Sequence, residues 1–324
     1  MNFSDNFNPG AYRDRPDNRD YKYRDIILGA PVIDWEKGYN IEEELGIKLK
    51  VESQDGSSSC VGQAWAKYTE VLNFVETSKL VDHSAKSIYE QIYLPTGGAY
   101  IRDGAHAVVN VGVALETTLS SYFNGNPPSE EYMRKQMITD EIREEMKIYQ
   151  AKDYYSIGSN DADLIAHAIQ NNWGAVSGAN GDNQGWKDWI VKPPVSSSPW
   201  GHAYYYIGFG KDEKGKYFDF KNSWGADWGK DGRGRMYFDE YNMPNNTFGV
   251  WTLVDKSNIN EEDMLLVKTQ NNPHIYLIRN NKKIMLIDMS TYDIMTTPFK
   301  IISDEEMNKY ADGGTLIWTE RIIN

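Results

Sequence analysis

The 324-residue sequence has one cysteine, Cys60. No intramolecular disulfide can form, which excludes the stapled frameworks typical of small secreted proteins. Nowhere do 18 apolar residues run together, so no membrane-spanning helix is expected. The N-terminal stretch MNFSDNFNPGAYRDRPDNRDYKYRD lacks the apolar core of a signal peptide. The default location is therefore the cytosol, or a particle assembled there. Five histidines, one cysteine and scattered carboxylates give no metal-ligand spacing, so neither metal nor cofactor is expected. Basic residues form no run. They are outnumbered, 34 Lys and Arg against 47 Asp and Glu, for a net charge of −13. A chain this acidic repels phosphate backbones and anionic lipid, which argues against a nucleic-acid partner.

What is present is an ordinary globular composition, 40% hydrophobic and 25% charged, with 22 Tyr and 10 Trp. Rings with a polar tip can fill a sizeable core and still find hydrogen-bond partners. Residues 1–30 are polar and read as an extended arm on a folded body. Residues 61–79 place Ala64, Tyr68, Val71, Leu72 and Val75 at helical spacing, so Cys60 stands at or just before a helix N-terminus. Short helical patterns follow at 84–93 and 103–114. Residues 129–150 are charged and helix-prone and read as a surface helix. Residues 161–172 form an amphipathic helix with Asp161 near its start, and AVSGA after Gly174 is strand-like. From His202 onward, aromatic segments punctuated by glycine read as antiparallel strands. A helical first half and a β second half give an α+β architecture with two packed lobes. Asn258–Asp263 reads as a linker. Beyond it IYLIRNNKKIMLID has the alternation of a hairpin turning at Asn280–Asn281, and Thr315–Trp318 is a later strand. Residues 257–324 thus form a small accessory β-rich module, which could serve to anchor the chain to a partner.

A lone cysteine is ordinarily a small buried hydrophobe. The alternative is a nucleophile, which works as a thiolate. Its pKa must fall, and a helix N-terminus and a neighbouring imidazolium both lower it. Donors must also face the oxyanion that forms on the attacked carbonyl. Cys60 meets the helix condition, and Gln54 is at hand as an oxyanion donor. His83, His106, His167 and His274 have no motif neighbours and read as ordinary core or surface residues.

The segment VESQDGSSSCVGQAWA resembles the active-site segment of the papain family of cysteine peptidases, in which a Gln lies six residues before the Cys. Gln54 lies six before Cys60. Asp55 stands where the family usually has Gly, and Ser58-Ser59-Cys60-Val61 replaces the common C-G-S-C-W. The missing disulfide cysteines are similar to bacterial and viral members. PVIDW at 31–35 resembles the start of the mature enzyme, and Gly97-Gly98 the pair that meets the substrate backbone. GHAYYYIGFG resembles the catalytic-His segment, and KNSWGADWGKDGRGRMYF the N-S-W-G motif. His202 falls 142 residues past Cys60, within the family's spacing of about 130–150, and Asn222 is 20 further on.

The resemblance covers roughly residues 31–256 and implies a papain-like two-lobe peptidase domain. The helical lobe would carry Cys60 and the β lobe His202. It implies that Cys60 is the nucleophile, His202 its acid–base partner, Asn222 the residue that orients His202, and Gln54 an oxyanion donor. Gly97, Gly98, Ala203 and Trp224 would line the substrate cleft, with Trp224 also keeping water off the His202–Asn222 bond. The implied partner is a protein or peptide substrate, cleaved through a thioester acyl-enzyme. Family zymogens carry a much longer helical propeptide, so latency would have to come from the short arm or the C-terminal module. Two other functions stand beside this one. One is a cell-wall hydrolase of the NlpC/P60 type, which lacks the N-S-W-G motif. The other is a non-catalytic component, as in a phage particle, on the same scaffold.

Overall fold

The computed structural model describes residues 10–27, 30–123, 128–254, 265–279, 282–287 and 300–317. The described chain divides into two compact units, Met1–Asp255 and Lys256–Asn324.

In the first unit the helix Cys60–Thr77 is the central element of the helical part. Its residues from Cys60 to Leu72 are all buried. That is more than an amphipathic stripe, and the reason is packing on several sides. Trp65 donates its indole N–H to Ile101 O at 3.0 Å, and Tyr68 donates to Asn172 O at 2.6 Å. Each large ring buried this way contributes about 1.5–3 kcal/mol. Helices Ala85–Ile92 and Ile101–Asn110 pack beside it. Two ion pairs are buried with them, Lys67–Glu70 at 2.6 Å and Lys86–Glu90 at 2.8 Å.

The segment expected as one surface helix over 129–150 is instead three short pieces: Glu130–Arg134, Asp140–Met146 and the 3-10 turn Lys147–Tyr149. The break has a tertiary cause. Buried Glu90 accepts the N–H groups of Met137 and Ile138, and Lys86 donates to Lys135 O at 2.6 Å. Those bonds claim backbone groups that a continuous helix would need. Ser129 and Thr139 cap the two resulting helices.

The β part is chiefly one antiparallel sheet. Its strands run in the order Asp153–Ile157, Thr247–Val254, Ala175–Gly181, Trp200–Asp212, Gly215–Lys221, Arg233–Tyr237, and Tyr39–Asn40 also pairs with Trp200–Asp212. His202 sits in register with Ala179 and Ala203 with Gly178, which fixes both near one end of the long 200–212 strand. The helical and β parts meet at the Cys60 loop. Gln54 N–H donates to Ser223 O at 2.8 Å, Gly225 N–H donates to Glu52 O, and Ser53 bridges Trp224. The whole combination is the mixed α+β architecture expected from the sequence.

The second unit holds a five-stranded sheet in the order Lys300–Ile302, Leu265–Thr269, Asn272–Arg279, Lys282–Ile287, Ala311–Ile317. Arg279 pairs with Lys282, as a two-residue connection demands. Asn280–Asn281 themselves, the linker Asn258–Asp263 and Trp318 lie outside the described residues. Both outer strands pair in parallel, a feature the alternating pattern does not reveal. Val267, Ile302 and Met307 form its core.

Candidate active site

Cys60 is the first residue of its 18-residue helix and is fully buried. No acidic side chain stands in the first turn, so the positive end of the helix is not neutralised there. The backbone amides of Ala203, Gly10, Val61 and Cys60 face the sulfur and favour the thiolate. Burial acts the other way and wins, pushing the thiol up to about 11.

His202 is also fully buried, and burial pushes it down to about 3, against the opposing effect of its bond to Asn222. The Nε2–Oδ1 separation is 2.6 Å. Asn222 Oδ1 also accepts the N–H of Ser223 at 2.8 Å, which identifies it as the amide oxygen. Nε2 therefore carries the ring proton, and in the neutral ring Nδ1 is the basic nitrogen. Trp224 lies with its ring centroid 4.4 Å from that of His202.

Gln54 is buried, and both ends of its amide are set. Nε2 donates to Ser57 O at 3.0 Å, and Oε1 accepts from Ser223 Oγ at 2.6 Å. Ser57 Oγ in turn donates to Gln54 O and meets Ser59 Oγ. This network holds Gln54 in the loop that leads to Cys60 despite Asp55 at the usual glycine position. Gly97 and Gly98 both have positive φ, +86° and +74°, which favours glycine. Gly98 N–H donates to Tyr89 Oη at 2.8 Å.

Several neighbours carry no signal in the sequence. Trp186 is fully buried and presents its ring edge-on to His202 at 5.6 Å, and it also packs against Trp200, Trp224 and Trp228. It comes from a loop without any motif. Glu130 joins the loop of Cys60 to Tyr89. Its carboxylate accepts Ser58 N–H at 2.6 Å and the Tyr89 hydroxyl at 2.7 Å.

The N-terminal arm crosses this site. Ala11–Tyr12 pairs in parallel with Ala99–Tyr100, and Ala99 N–H donates to Gly10 O at 2.7 Å. A Cβ on Gly98 would come within 2.4 Å of Gly10 O, and one on Gly201 within 2.1 Å of Ala11 O. The arm thus runs between the Gly98 wall and the wall that carries His202.

Among the described residues one cluster of carboxylates, Glu52, Glu70 and Asp82, is close enough to hold a cation. Lys67 and Lys50 already pair with all three, so ammonium groups fill the role a metal would take.

Residues 33–251 match the family model described as papain family cysteine protease. Among solved structures the chain is similar to xylellain, a cysteine protease from Xylella fastidiosa. The TM-score is 0.64 at 19% identity, covering 77% of this chain and 97% of that one. It is also similar to the proform of the ragweed pollen cysteine protease Amb a 11, with TM-score 0.52, 18% identity and 70% of each chain covered. A Carica candamarcensis cysteine protease solved with E-64 gives TM-score 0.50 at 17% identity, over 67% of this chain and 98% of that one. At these identities the likeness is one of fold. No curated protein matches the chain. Among the described residues no helix is long and apolar enough to cross a membrane.

Proposed function

This chain belongs to the papain family of cysteine proteases, and from that premise we propose that it hydrolyses peptide bonds with Cys60 as nucleophile, His202 as proton carrier and Asn222 as the group that orients His202. The observation that carries this reading is the junction of the two lobes. There the amide next to His202, that of Ala203, faces the Cys60 sulfur while His202 is held on its far nitrogen by Asn222.

The chemistry follows from those positions. The Cys60 thiol passes its proton to Nδ1 of His202, and the thiolate attacks the peptide carbonyl carbon. The negative oxygen that forms accepts from Cys60 N–H and from the second N–H of the Gln54 amide, whose first N–H is bound to Ser57 O. The C–N bond breaks as His202 gives its proton to the leaving amine, which leaves a thioester on Cys60. Water then adds with His202 as base, the acid departs and the thiol is restored. A neutral Asn222 suits this cycle, because no second anion competes with the thiolate for the imidazolium. Trp224 and Trp186 keep water from the His202–Asn222 bond. Gly98 and Ala203 form the facing walls of the cleft, with Gly97 turning the chain into the first.

The experiment is a peptide-library digest comparing wild type with Cys60→Ala. Gln54→Ala isolates the oxyanion step. Loss of one donor lowers kcat by roughly 10²–10³, with the fold retained. A kcat within twofold of wild type would remove Gln54 from the mechanism.

A further inference from the structure

We propose that a cavity beside Asn222 binds one water molecule, and that Gln63 and Lys221 act through it as positioning residues for Asn222. The cavity lies between Gln63 and Lys67 of the Cys60 helix and Lys221 and Asn222 of the β part, with Glu52 at its side. It gives a water-sized sphere about 10 Å³, the room of a single small molecule.

Three nitrogens point to an occupant. Gln63 Nε2, Lys221 Nζ and Asn222 Nδ2 are all buried, and none has a hydrogen-bond partner among the described residues. The residues that carry them are 3%, 4% and 5% exposed. Buried donors are nearly always satisfied, by protein or by ordered water. Lys221 Nζ stands 3.6 Å from Glu42 Oε1, an ion pair beyond hydrogen-bond reach. Other polar groups on the wall are engaged elsewhere. Lys67 bonds to Glu70 at 2.6 Å, Ser223 Oγ donates to Gln54 Oε1 at 2.6 Å, and Tyr204 meets Tyr206. Charge then selects the occupant. Lys67 pairs with Glu70 and Glu52, and Lys221 with Glu42, so the lysines leave no net positive charge for an anion. The Glu52 carboxylate on the wall would repel one. A water molecule accepts from two of the nitrogens and still has two hydrogens to give.

The consequence for catalysis rests on the peptidase reading above. Asn222 Oδ1 is used twice, by His202 Nε2 at 2.6 Å and by Ser223 N–H at 2.8 Å. An amide turned the other way would set its own N–H groups against the ring N–H of His202, donor against donor. A water molecule bound at Nδ2 opposes that turn from the far side of the amide. Gln63 lies three residues after Cys60 on the same helix. The bridge therefore also ties the helix of the nucleophile to the group that orients the base.

The test uses the full chain and has two arms. A crystal grown in sodium bromide, measured at the bromine absorption edge, identifies the occupant without any turnover. The expected result is one oxygen-sized peak without anomalous signal, within hydrogen-bond distance of Asn222 Nδ2 and of at least one of the other two nitrogens. An empty cavity would overturn the proposal, and so would an anomalous peak there, by assigning the cavity to a halide. The second arm is kinetic. Gln63→Met keeps the length of the side chain and removes its donor, and Lys221→Met does the same on the facing side. Each lowers kcat roughly tenfold with KM little changed, because the orientation of His202 counts in the transition state rather than in binding. In both variants the Asn222 side-chain amide, followed by NMR, exchanges with solvent faster. Folded variants that keep the wild-type kcat and amide exchange would remove Gln63 and Lys221 from any positioning role. A bound water in a chain that cleaves no peptide would keep the site and remove the peptidase reading, and an empty cavity in an active peptidase would do the reverse.

Discussion

Cys60→Ala is expected to lower peptide hydrolysis by a factor on the order of 10⁶, while the protein stays folded. The size of the loss follows from covalent catalysis. Without the sulfur no thioester forms, and the remaining groups cannot act as a partial set, because they work on one another's products. Stability is a separate matter. Removing one buried heavy atom costs on the order of 1 kcal/mol, a modest part of the roughly 5–15 kcal/mol that holds a domain together. The Cys60 helix keeps its other anchors, the Trp65 bond to Ile101 O and the Tyr68 bond to Asn172 O. The measurement is turnover of a fluorogenic peptide beside a thermal melt. Cleavage at the wild-type rate by the folded variant would remove Cys60 from the reaction.

The helix beginning at Cys60 was legible because its apolar spacing is regular and the Gly/Ser run before it breaks any earlier turn. The strand of His202 was legible for the same reason, a long aromatic run with no helical period. Which loops would face one another was implied by the resemblance of the motifs to the papain family, not by their spacing. The sequence hides whatever depends on contacts between distant, unremarkable residues. Lys135–Ile138 has helical propensity, but buried Glu90 and Lys86 bind its backbone and break the helix. Trp186 looks like any loop tryptophan until the fold sets it against His202. The arm illustrates the limit best. Its composition shows an extended segment, yet Gly10 carries no side chain to advertise a partner, and its place is set by the bond from Ala99 N–H to Gly10 O.

The second large effect belongs to His202, and it is read from pH dependence. Burial raises Cys60 to about 11 and lowers His202 to about 3. Each shift disfavours the charged form, so the buried pair rests as a thiol and an imidazole. A polar substrate or water at the sulfur lessens both shifts. Burial is the first cause of both shifts, so the thiol falls and the imidazole rises until they exchange a proton. Thiolate reactivity then appears well below the ordinary cysteine value of about 8.5, because the imidazolium supports it. Turnover rises on the acid side as the pair ionises and falls on the alkaline side as the imidazolium is lost. The two limbs belong to the coupled pair. In His202→Ala no imidazolium exists. Alkylation should follow a single rise near or above the ordinary cysteine value, with none of the reactivity at pH 5–6, and turnover should fall by roughly 10⁴ or more. The measurement is the alkylation rate against pH, in wild type and in His202→Ala. Equal rates at pH 5–6 in the two proteins would mean that the Cys60 thiolate is supported by the backbone amides alone, and His202 would lose its assigned role.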